Sequence, residues 1–409
     1  MSVGNASYEE IDVVEKLSPT EVTVIDLGSY YYRFGVASAA APERWRSTAG
    51  RPKRTLSERD RSLLTREKGG ILVGPAALAE RALLDMSPLT GEAFDWEAAA
   101  AFLSATSGPA AFVAAPLGVG PPTKRSFATF AESLLEVAFE QASLETLAVA
   151  SATPLPLFAL GRTHGLALQV GHRATVCANV TAGVCVTDDD YHIFQGCGGH
   201  RYNNLFPKGI SSPKESTFVL PDDTRITADD SSDDDPTRII PFSSFENLDV
   251  LELLFSEKPQ TFIPGEYPVL GKSPRGAALT SKRRGPVDCL ADVAWNEVTR
   301  VLGSLRNLDV APQPTEIMIS GGASLIPTFA TQLETATISA AETKAVLNLS
   351  PRAGRLHPDD HLLFIPADDD AANWRGAAIL ASSTDFSHWV LKADYDEQGP
   401  HRAAANFLL

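Results

Sequence analysis

The sequence has few cysteines, no long apolar run and a deficit of positive charge. Its 409 residues include four cysteines without C-x-x-C spacing, which we interpret as reduced thiols of an intracellular protein. No apolar run approaches the roughly 20 residues that a membrane-spanning helix needs. Lys and Arg number 35 against 51 Asp and Glu, and the net charge of −16 argues against broad nucleic-acid binding and docking on an anionic membrane. Residues 1–16 are acidic and have no apolar h-region, so we expect no secretory signal there.

Alternating apolar residues on either side of a glycine turn predict two β-hairpins. The first is VTVIDLGSYYYRFGVASA at 22–39, and the second is GLALQVGHRATVCANV at 165–180. The first turn opens with an acid, Asp26, whereas the second opens with Gln169. The chain therefore has two hairpins of one shape, of which only the first carries a carboxylate.

Strand and helix signals alternate in the first third of the chain. FATFAESLLEVAF at 127–139 has apolar residues at helical spacing and predicts an amphipathic helix between the short apolar runs at 110–118 and 145–152. This alternation favours α/β layers. Residues 50–70 are polar and basic, and we expect a solvated loop there, with a basic docking surface as the alternative.

The middle of the chain has little apolar periodicity. Seven aspartates lie between Asp222 and Asp235, and a basic stretch at 271–286 is either a surface loop or a weak nuclear-import signal. Helical spacing returns at 287–305. A strand at 317–319 then leads into Ser320-Gly321-Gly322 and a predicted helix, an arrangement that suits a bound anion or tight packing equally.

Three segments together resemble actin and the actin-related proteins: the first hairpin with its D-x-G-S turn, the strand followed by SGG, and residues 373–400. The C-terminal matches, in the family's order and spacing, are Trp374, Gly376, 379–382, Trp389, Lys392, 395–397, Gly399 and Pro400. GRPK at 50–53 and GRTHG at 161–165 are shorter matches.

The resemblance implies the α/β actin-like ATPase fold, with two lobes that each have a central mixed β-sheet flanked by helices. Each lobe would contribute one phosphate hairpin, and the outer subdomain of the second lobe would be shortened. The implied domains are 1–160 for the first lobe with a basic outer excursion at 50–75, 161–340 for the second lobe with a reduced, irregular part at 207–286, and 341–409 returning to the first lobe.

The resemblance also implies a remnant nucleotide cleft between the lobes. In relatives, paired carboxylates hold the hydrated metal on ATP and nearby polar groups orient the attacking water. The remnant cofactor-binding residues are Asp26, Gly28, Ser29, Arg33, Gly171, Gly321 and Gly322. Arg33 stands at the place of a phosphate-contacting lysine, and Tyr30 replaces a glycine beside the phosphates.

Much of the family's chemistry is missing by the same comparison. The second turn reads Gln169-Val170-Gly171-His172-Arg173 and lacks both family acids, while Ala152 replaces the water-orienting glutamine and Val176 a histidine. Asp368-Asp369-Asp370 replaces a basic residue, and a helical insertion is largely absent between 206 and 215. Losing one such group typically lowers the rate by orders of magnitude. We therefore expect no ATP hydrolysis, no catalytic residue and no metal ligand, and we hypothesise that Arg173 or a salt bridge from Asp26 holds the cleft shut.

No other site suggests an enzyme. His357 and His361 are four residues apart, but HPDDH contains a proline and has no cysteine nearby, and no G-x-S-x-G motif occurs. We expect a non-catalytic, pseudo-ATPase actin-related protein that is a structural or capping subunit of a cytoplasmic, cytoskeletal assembly. Its partners would be actin or actin-related subunits, not nucleic acid or membrane, and long homopolymers are disfavoured.

Two alternatives stay open. One is a nuclear actin-related subunit of a chromatin-remodelling complex, favoured by Lys282-Arg283-Arg284. The other is a divergent actin-like filament protein that binds ATP or ADP with Mg, whereas the preferred interpretation needs no cofactor.

Overall fold

The computed structural model describes residues 21–68, 70–90, 94–117, 119, 125–172, 174–184, 191–195, 218–219, 225–226, 315–325, 330–331, 333–335 and 362–407. No helix within these ranges is long and apolar enough to cross a bilayer. The predicted features at 271–286, 287–305 and 357–361 lie outside the described residues.

The described elements alternate between strands and helices. The strands are β1 Val22–Leu27, β2 Tyr31–Val36, β3 Glu43–Arg46, β4 Thr48–Pro52, β5 Leu72–Val73, β6 Leu84–Pro88, β7 Ala110–Ala115, β8 Thr146–Ser151, β9 Gly165–Val170, β10 Ala174–Val180, β11 Tyr191–Gln195, β12 Phe218–Val219, β13 Arg225–Ile226, β14 Thr315–Ser320, β15 Leu362–Pro366 and β16 Val390–Leu391. The helices are α1 Glu58–Lys68, α2 Gly74–Ala79, α3 Trp96–Thr106, α4 Arg125–Glu136, α5 Leu155–Ala159, α6 Ala372–Ala381, α7 Lys392–Gln398 and α8 Pro400–Ala404.

A six-stranded sheet in the order β16-β8-β7-β1-β2-β3 forms the core of the first lobe. β1 and β2 are the predicted antiparallel hairpin, and the central strands β1, β7 and β8 are parallel. Every residue of these three parallel strands is buried, as expected for strands that are covered on both faces.

The two faces of this sheet pack against different helices. Ile25 and Val113 belong to a cluster that includes Phe102 of α3 and Phe127 of α4. Their neighbours in the strands, Val24 and Phe112, point the other way and pack with Trp374 of α6. Side chains alternate between the faces of a strand, so the continuous apolar runs produce two cores rather than one.

The predicted amphipathic helix at 127–139 is confirmed, with a change of geometry at its end. Phe127, Phe130, Leu134 and Val137 are all buried. α4 itself ends at Glu136 and continues as a π-helical turn over Val137–Gln141.

The interpretation of residues 50–70 as a solvated loop is wrong. β4 is the central strand of a three-stranded sheet, β5-β4-β6, and α1 packs beside it. Leu64 of α1 is buried with Leu72, Ala77 and Leu84. A helix that covers a small sheet needs few apolar residues. Because most residues of α1 are charged or polar, its sequence shows no clear apolar periodicity.

Arg51 of the GRPK segment has a structural role. Its guanidinium donates to both oxygens of Asp95, at 2.7 and 2.8 Å. Asp95 also caps α3 by accepting from the backbone N–H of Ala98 at 3.0 Å. This pair therefore joins the three-stranded sheet to the start of α3.

A five-stranded sheet in the order β11-β10-β9-β14-β15 forms the core of the second lobe. β9 and β10 are the second predicted hairpin, and β14 runs parallel to both β9 and β15. Two mixed sheets flanked by helices agree with the predicted α/β actin-like fold class.

Within the described residues, the chain passes from one sheet to the other after β8 and again after β15. The helices that follow the crossings, α5 and α6, touch at Gly376, where a Cβ would collide with the carbonyl of Leu155. The domain limits at 160 and 341 stay predictions. The pairing of β15 with β14 places Leu362–Pro366 in the second sheet.

Candidate functional site

The turns of the two hairpins face each other, and aromatic residues lie between them. The rings of Tyr30 and His172 have centroids 5.0 Å apart. Tyr30 also packs edge-on against Tyr31, and the Arg46 guanidinium carbon lies 4.3 Å from the Tyr30 ring centroid. The tyrosine that replaces a family glycine therefore lies between the two turns.

The first turn depends on Gly28. A Cβ on Gly28 would lie 2.5 Å from the carbonyl oxygen of Tyr31, which a real side chain cannot tolerate. Ser47 donates a hydrogen bond to the Gly28 carbonyl and connects the turn to the chain after β3. Ser29 is half-buried beside it. The D-x-G-S sequence thus has a structural explanation in the turn itself.

Asp26 and Arg33 form an ion pair inside the protein. They are directly opposite in the β1–β2 ladder, and Nη1 of Arg33 lies 3.1 Å from Oδ2 of Asp26. Nη2 of Arg33 donates to Oδ2 of Asp370, and Nη1 of Arg44 lies 3.9 Å from the same oxygen. Acids and bases therefore alternate along a four-residue chain, Asp26–Arg33–Asp370–Arg44.

The surroundings of this charge chain shift the pKa values of Asp26 and Arg33. Burial raises the pKa of Asp26; the positive charge of Arg33 opposes this shift, and the negative charge of Asp370 adds to it. Burial alone would lower the pKa of Arg33, but the two carboxylates outweigh it and raise that pKa. Arg33 is therefore always charged, and Asp26 is easier to protonate than an exposed aspartate.

Gln169, which stands where relatives have an acid, binds backbone. Its Nε2 donates to the carbonyl oxygens of Ala152, at 2.8 Å, and Thr153, at 3.0 Å. Ala152 stands where relatives have the water-orienting glutamine. A hydrogen bond therefore joins the two positions, 152 and 169, at which the resemblance implies catalytic groups.

Three buried polar atoms around Gln169 have no partner among the described residues. They are Oε1 of Gln169, Oγ1 of Thr153 and Oγ of Ser320. Gln169 and Ser320 are paired across β9 and β14. Buried polar groups of this kind are usually satisfied by an internal water molecule.

The two glycines of SGG differ. Gly321 has a φ of +98°, and a Cβ there would collide with the backbone of Val170 in the second hairpin. Gly322 has nothing within 4 Å of its Cβ position. Gly322–Leu325 is a four-residue 3₁₀ turn. Close packing therefore explains Gly321, and residues 326–329, where the predicted helix would begin, lie outside the described residues.

The structure brings all seven predicted remnant residues to the two hairpin turns and the end of β14. Gly171 lies in the second turn and is half-buried, whereas Arg173 lies outside the described residues. Sequence reasoning missed two partners, Asp370 for Arg33 and the Thr153 carbonyl for Gln169. The acidic run at 368–370 was a signal for the first of these, because three acids stand where the resemblance predicts a base.

These residues do not fit magnesium bound to a triphosphate. Asp26 is the one carboxylate among the described residues of the two turns, and its Oδ2 is bound by Arg33. Gln169 donates from this position and does not present a carboxylate. Within the described ranges, no group of three or more His, Cys, Asp or Glu side chains could hold a metal ion.

Comparisons with known proteins agree with this architecture. The family model described as Actin matches residues 17–194 and 202–407. The chain is 26% identical to actin-like protein 9 of Bos taurus and of Homo sapiens, in each case over 95% of this chain and 89% of the relative. It is also 26% identical to actin-like protein 9 of Rattus norvegicus, over 92% of this chain and 87% of the relative. With two mixed sheets, paired hairpins and a family match along most of its length, the chain belongs to the actin family.

Proposed function

We propose that this chain is a non-catalytic, pseudo-ATPase member of the actin family that serves as a structural or capping subunit of a cytoskeletal assembly. The main support for this proposal is the pair of hydrogen bonds that the Gln169 side chain donates. A position that holds a metal ion presents an oxygen to it, but here the amide N–H₂ of Gln169 donates to two backbone carbonyls. The Gln169 side chain is thereby fixed to the main chain, and the position carries no carboxylate that could neutralise a cation.

The first hairpin supports the same conclusion independently. Arg33 engages Asp26 and Asp370, so its two terminal nitrogens are already committed to carboxylates. Tyr30 and His172 occupy the space between the turns. A phosphoryl-transfer enzyme relies on positioning and charge stabilisation at these places, and both are replaced by internal contacts.

A role through protein contacts follows if the cleft has no chemistry. Copies of a chain with a net charge of −16 repel each other, and the seven aspartates between Asp222 and Asp235 add to that repulsion. We therefore propose actin or actin-related subunits as partners in the cytoplasm, with this chain present as single copies or at a filament end.

Phosphate release by the purified chain in Mg-ATP tests the enzymatic part of the proposal. We expect a rate equal to that of the buffer control. The matched variant is Asp26→Asn, which distinguishes contaminating ATPase from real activity. A rate that is above background in the wild type and lost in Asp26→Asn would show that the cleft is catalytic.

Seeded actin elongation tests the capping part. A cap present well below the actin concentration stops growth at one filament end, whereas a monomer-binding protein slows growth only near stoichiometric amounts. Sedimentation of the chain alone should yield no polymer. Unchanged elongation would contradict capping, and purification of the assembly from cells would then identify its structural partners.

The nuclear alternative makes a different prediction. If the basic cluster Lys282-Arg283-Arg284 is an import signal, a tagged chain will be nuclear and its triple alanine variant cytoplasmic. We expect both to be cytoplasmic. Nuclear wild type together with a cytoplasmic variant would favour the chromatin-remodelling role.

A further inference from the structure

Arg33 is a buried cation that needs an anion. Its side chain is 8% exposed, and it lies on β2 between the ends of the two sheets. Asp26 satisfies Nη1 and Asp370 satisfies Nη2, while Nε has no partner among the described residues. A buried guanidinium without carboxylates would be strongly unfavourable, so the second anion matters.

Asp370 is held in place by its own turn. It lies between β15, in the second sheet, and α6, which packs on the first sheet. The preceding Asp369 accepts from the backbone N–H of Ala371 at 2.8 Å and from Arg375. The indole N–H of Trp374 then donates to the carbonyl of Val24 at 3.0 Å. The crossing segment therefore presents the Asp370 carboxylate from a fixed backbone.

Two guanidinium groups converge on this carboxylate. Arg33 donates to Oδ2 of Asp370, and Arg44 reaches the same oxygen from the neighbouring strand β3. The ring of Tyr31 lies beside both cations, 5.6 Å from the Arg33 carbon and 5.3 Å from the Arg44 carbon. Paired guanidinium groups on an aromatic support recognise carboxylate and phosphate oxygens equally well.

We propose that Asp370 is a built-in counterion that occupies an oxyanion site formed by Arg33 and Arg44. Its carboxylate takes the place of a small inorganic oxyanion such as phosphate, and it connects the segment leaving the second sheet to the first. We call this contact the Asp370 latch. This inference rests on the proposed loss of nucleotide chemistry and offers a cause for that loss. The anion site is still present, but the Asp370 carboxylate of the same chain fills it.

The test compares the response of the full-length chain to inorganic phosphate with that of three variants. Asp370→Asn removes the charge with little change of shape and should open the site. Asp368→Asn removes the same charge two residues away, from an exposed side chain, and is the matched control. Asp370→Asn combined with Arg44→Gln removes one wall of the opened site.

Melting temperature is measured over a series of phosphate concentrations at constant ionic strength, and isothermal titration gives the dissociation constant. We expect Asp370→Asn to bind phosphate about tenfold or more tightly than the wild type, which is the effect of freeing one charge-assisted hydrogen bond. Asp368→Asn should match the wild type, and Arg44→Gln should abolish the gain. Asp370→Ser provides the same test if the amide variant does not fold.

The outcomes separate this inference from the proposed function. Equal phosphate affinity in Asp370→Asn and Asp368→Asn, or a gain that survives Arg44→Gln, would overturn the latch. Strong Mg-ATP binding by the wild type would overturn the proposed function, even if Asp370→Asn still gained phosphate affinity.

Discussion

Replacing Gln169 by glutamate tests whether the second hairpin can again carry an acid. The substitution preserves shape but turns the donor of two hydrogen bonds into a carboxylate that faces the carbonyl oxygens of Ala152 and Thr153. Two hydrogen bonds are lost, each with a net value of about 1 kcal/mol, and a buried charge is left beside acceptors. We expect the free energy of unfolding to fall by about 3–5 kcal/mol at neutral pH.

The matched control is Gln169→Met, which also loses both hydrogen bonds but introduces no charge. We expect this variant to lose about 2 kcal/mol, so the difference between the two variants measures the charge alone. Chemical denaturation followed by tryptophan fluorescence is suitable because Trp374 is buried.

The pH dependence of the stability of Gln169→Glu gives a second test of the buried charge. A buried glutamate has a pKa above its ordinary value of about 4.3, so the folded variant binds the proton more tightly than the unfolded chain. Its stability relative to wild type should therefore improve as the pH falls from about 8 to 5, whereas the methionine variant should show no such trend. A glutamate variant as stable as wild type at about pH 8 would refute the assignment of Gln169 as an obligatory donor.

Three further variants test other parts of the site and its support. The folded pKa of Asp26 is raised, so its ionisation costs stability as the pH rises above about 4. The stability of Asp26→Asn relative to wild type should therefore increase as the pH rises above about 4 in urea denaturation, and parallel pH profiles would contradict this. Gly321→Ala should lower the free energy of unfolding by about 2–3 kcal/mol because Gly321 has a positive φ and lies against backbone. The control Gly322→Ala should change it by no more than about 0.5 kcal/mol. Equal melting temperatures of the two variants would count against close packing at Gly321. Asp95→Ala should lower the free energy of unfolding by about 1–2 kcal/mol because α3 loses its cap. Asp95→Asn should lower it less, since asparagine also caps helices well. The pair with Arg51 lowers the pKa of Asp95 despite burial, so wild-type stability should fall towards that of Asp95→Asn below about pH 4, as thermal melts can measure.

Local patterns predicted the parts of the fold that depend on neighbouring residues. Both hairpins follow from alternating apolar residues around glycine, and α4 follows from its apolar face. α1 was missed because its burial comes from a small sheet assembled by β4, β5 and β6, and only Leu64 of its central residues is buried. A helix with one buried leucine cannot be distinguished from a charged loop by periodicity.

The sequence predicted which residues form the site, but it did not predict most of the hydrogen bonds and ion pairs that they make. Asp26 forms a salt bridge with Arg33 on the adjacent strand of the same hairpin, whereas the hypothesis that such a bridge holds the cleft shut stays a prediction. The second partner, Asp370, is 337 residues from Arg33 in the sequence, and only the crossing between the sheets brings it close. The bonds from Gln169 to the Ala152 and Thr153 carbonyls were equally inaccessible, because main-chain acceptors have no sequence signal.

The contact between Gln169 and main-chain carbonyls also bears on the history of the molecule. Mutation can replace any side chain, but it cannot remove a peptide oxygen. An acid in place of this amide would face the same oxygens with negative charge, so a chain that carried it would fold less well than its parent. Selection for a stable protein would therefore act against an acid at position 169, even where an acid there would serve chemistry.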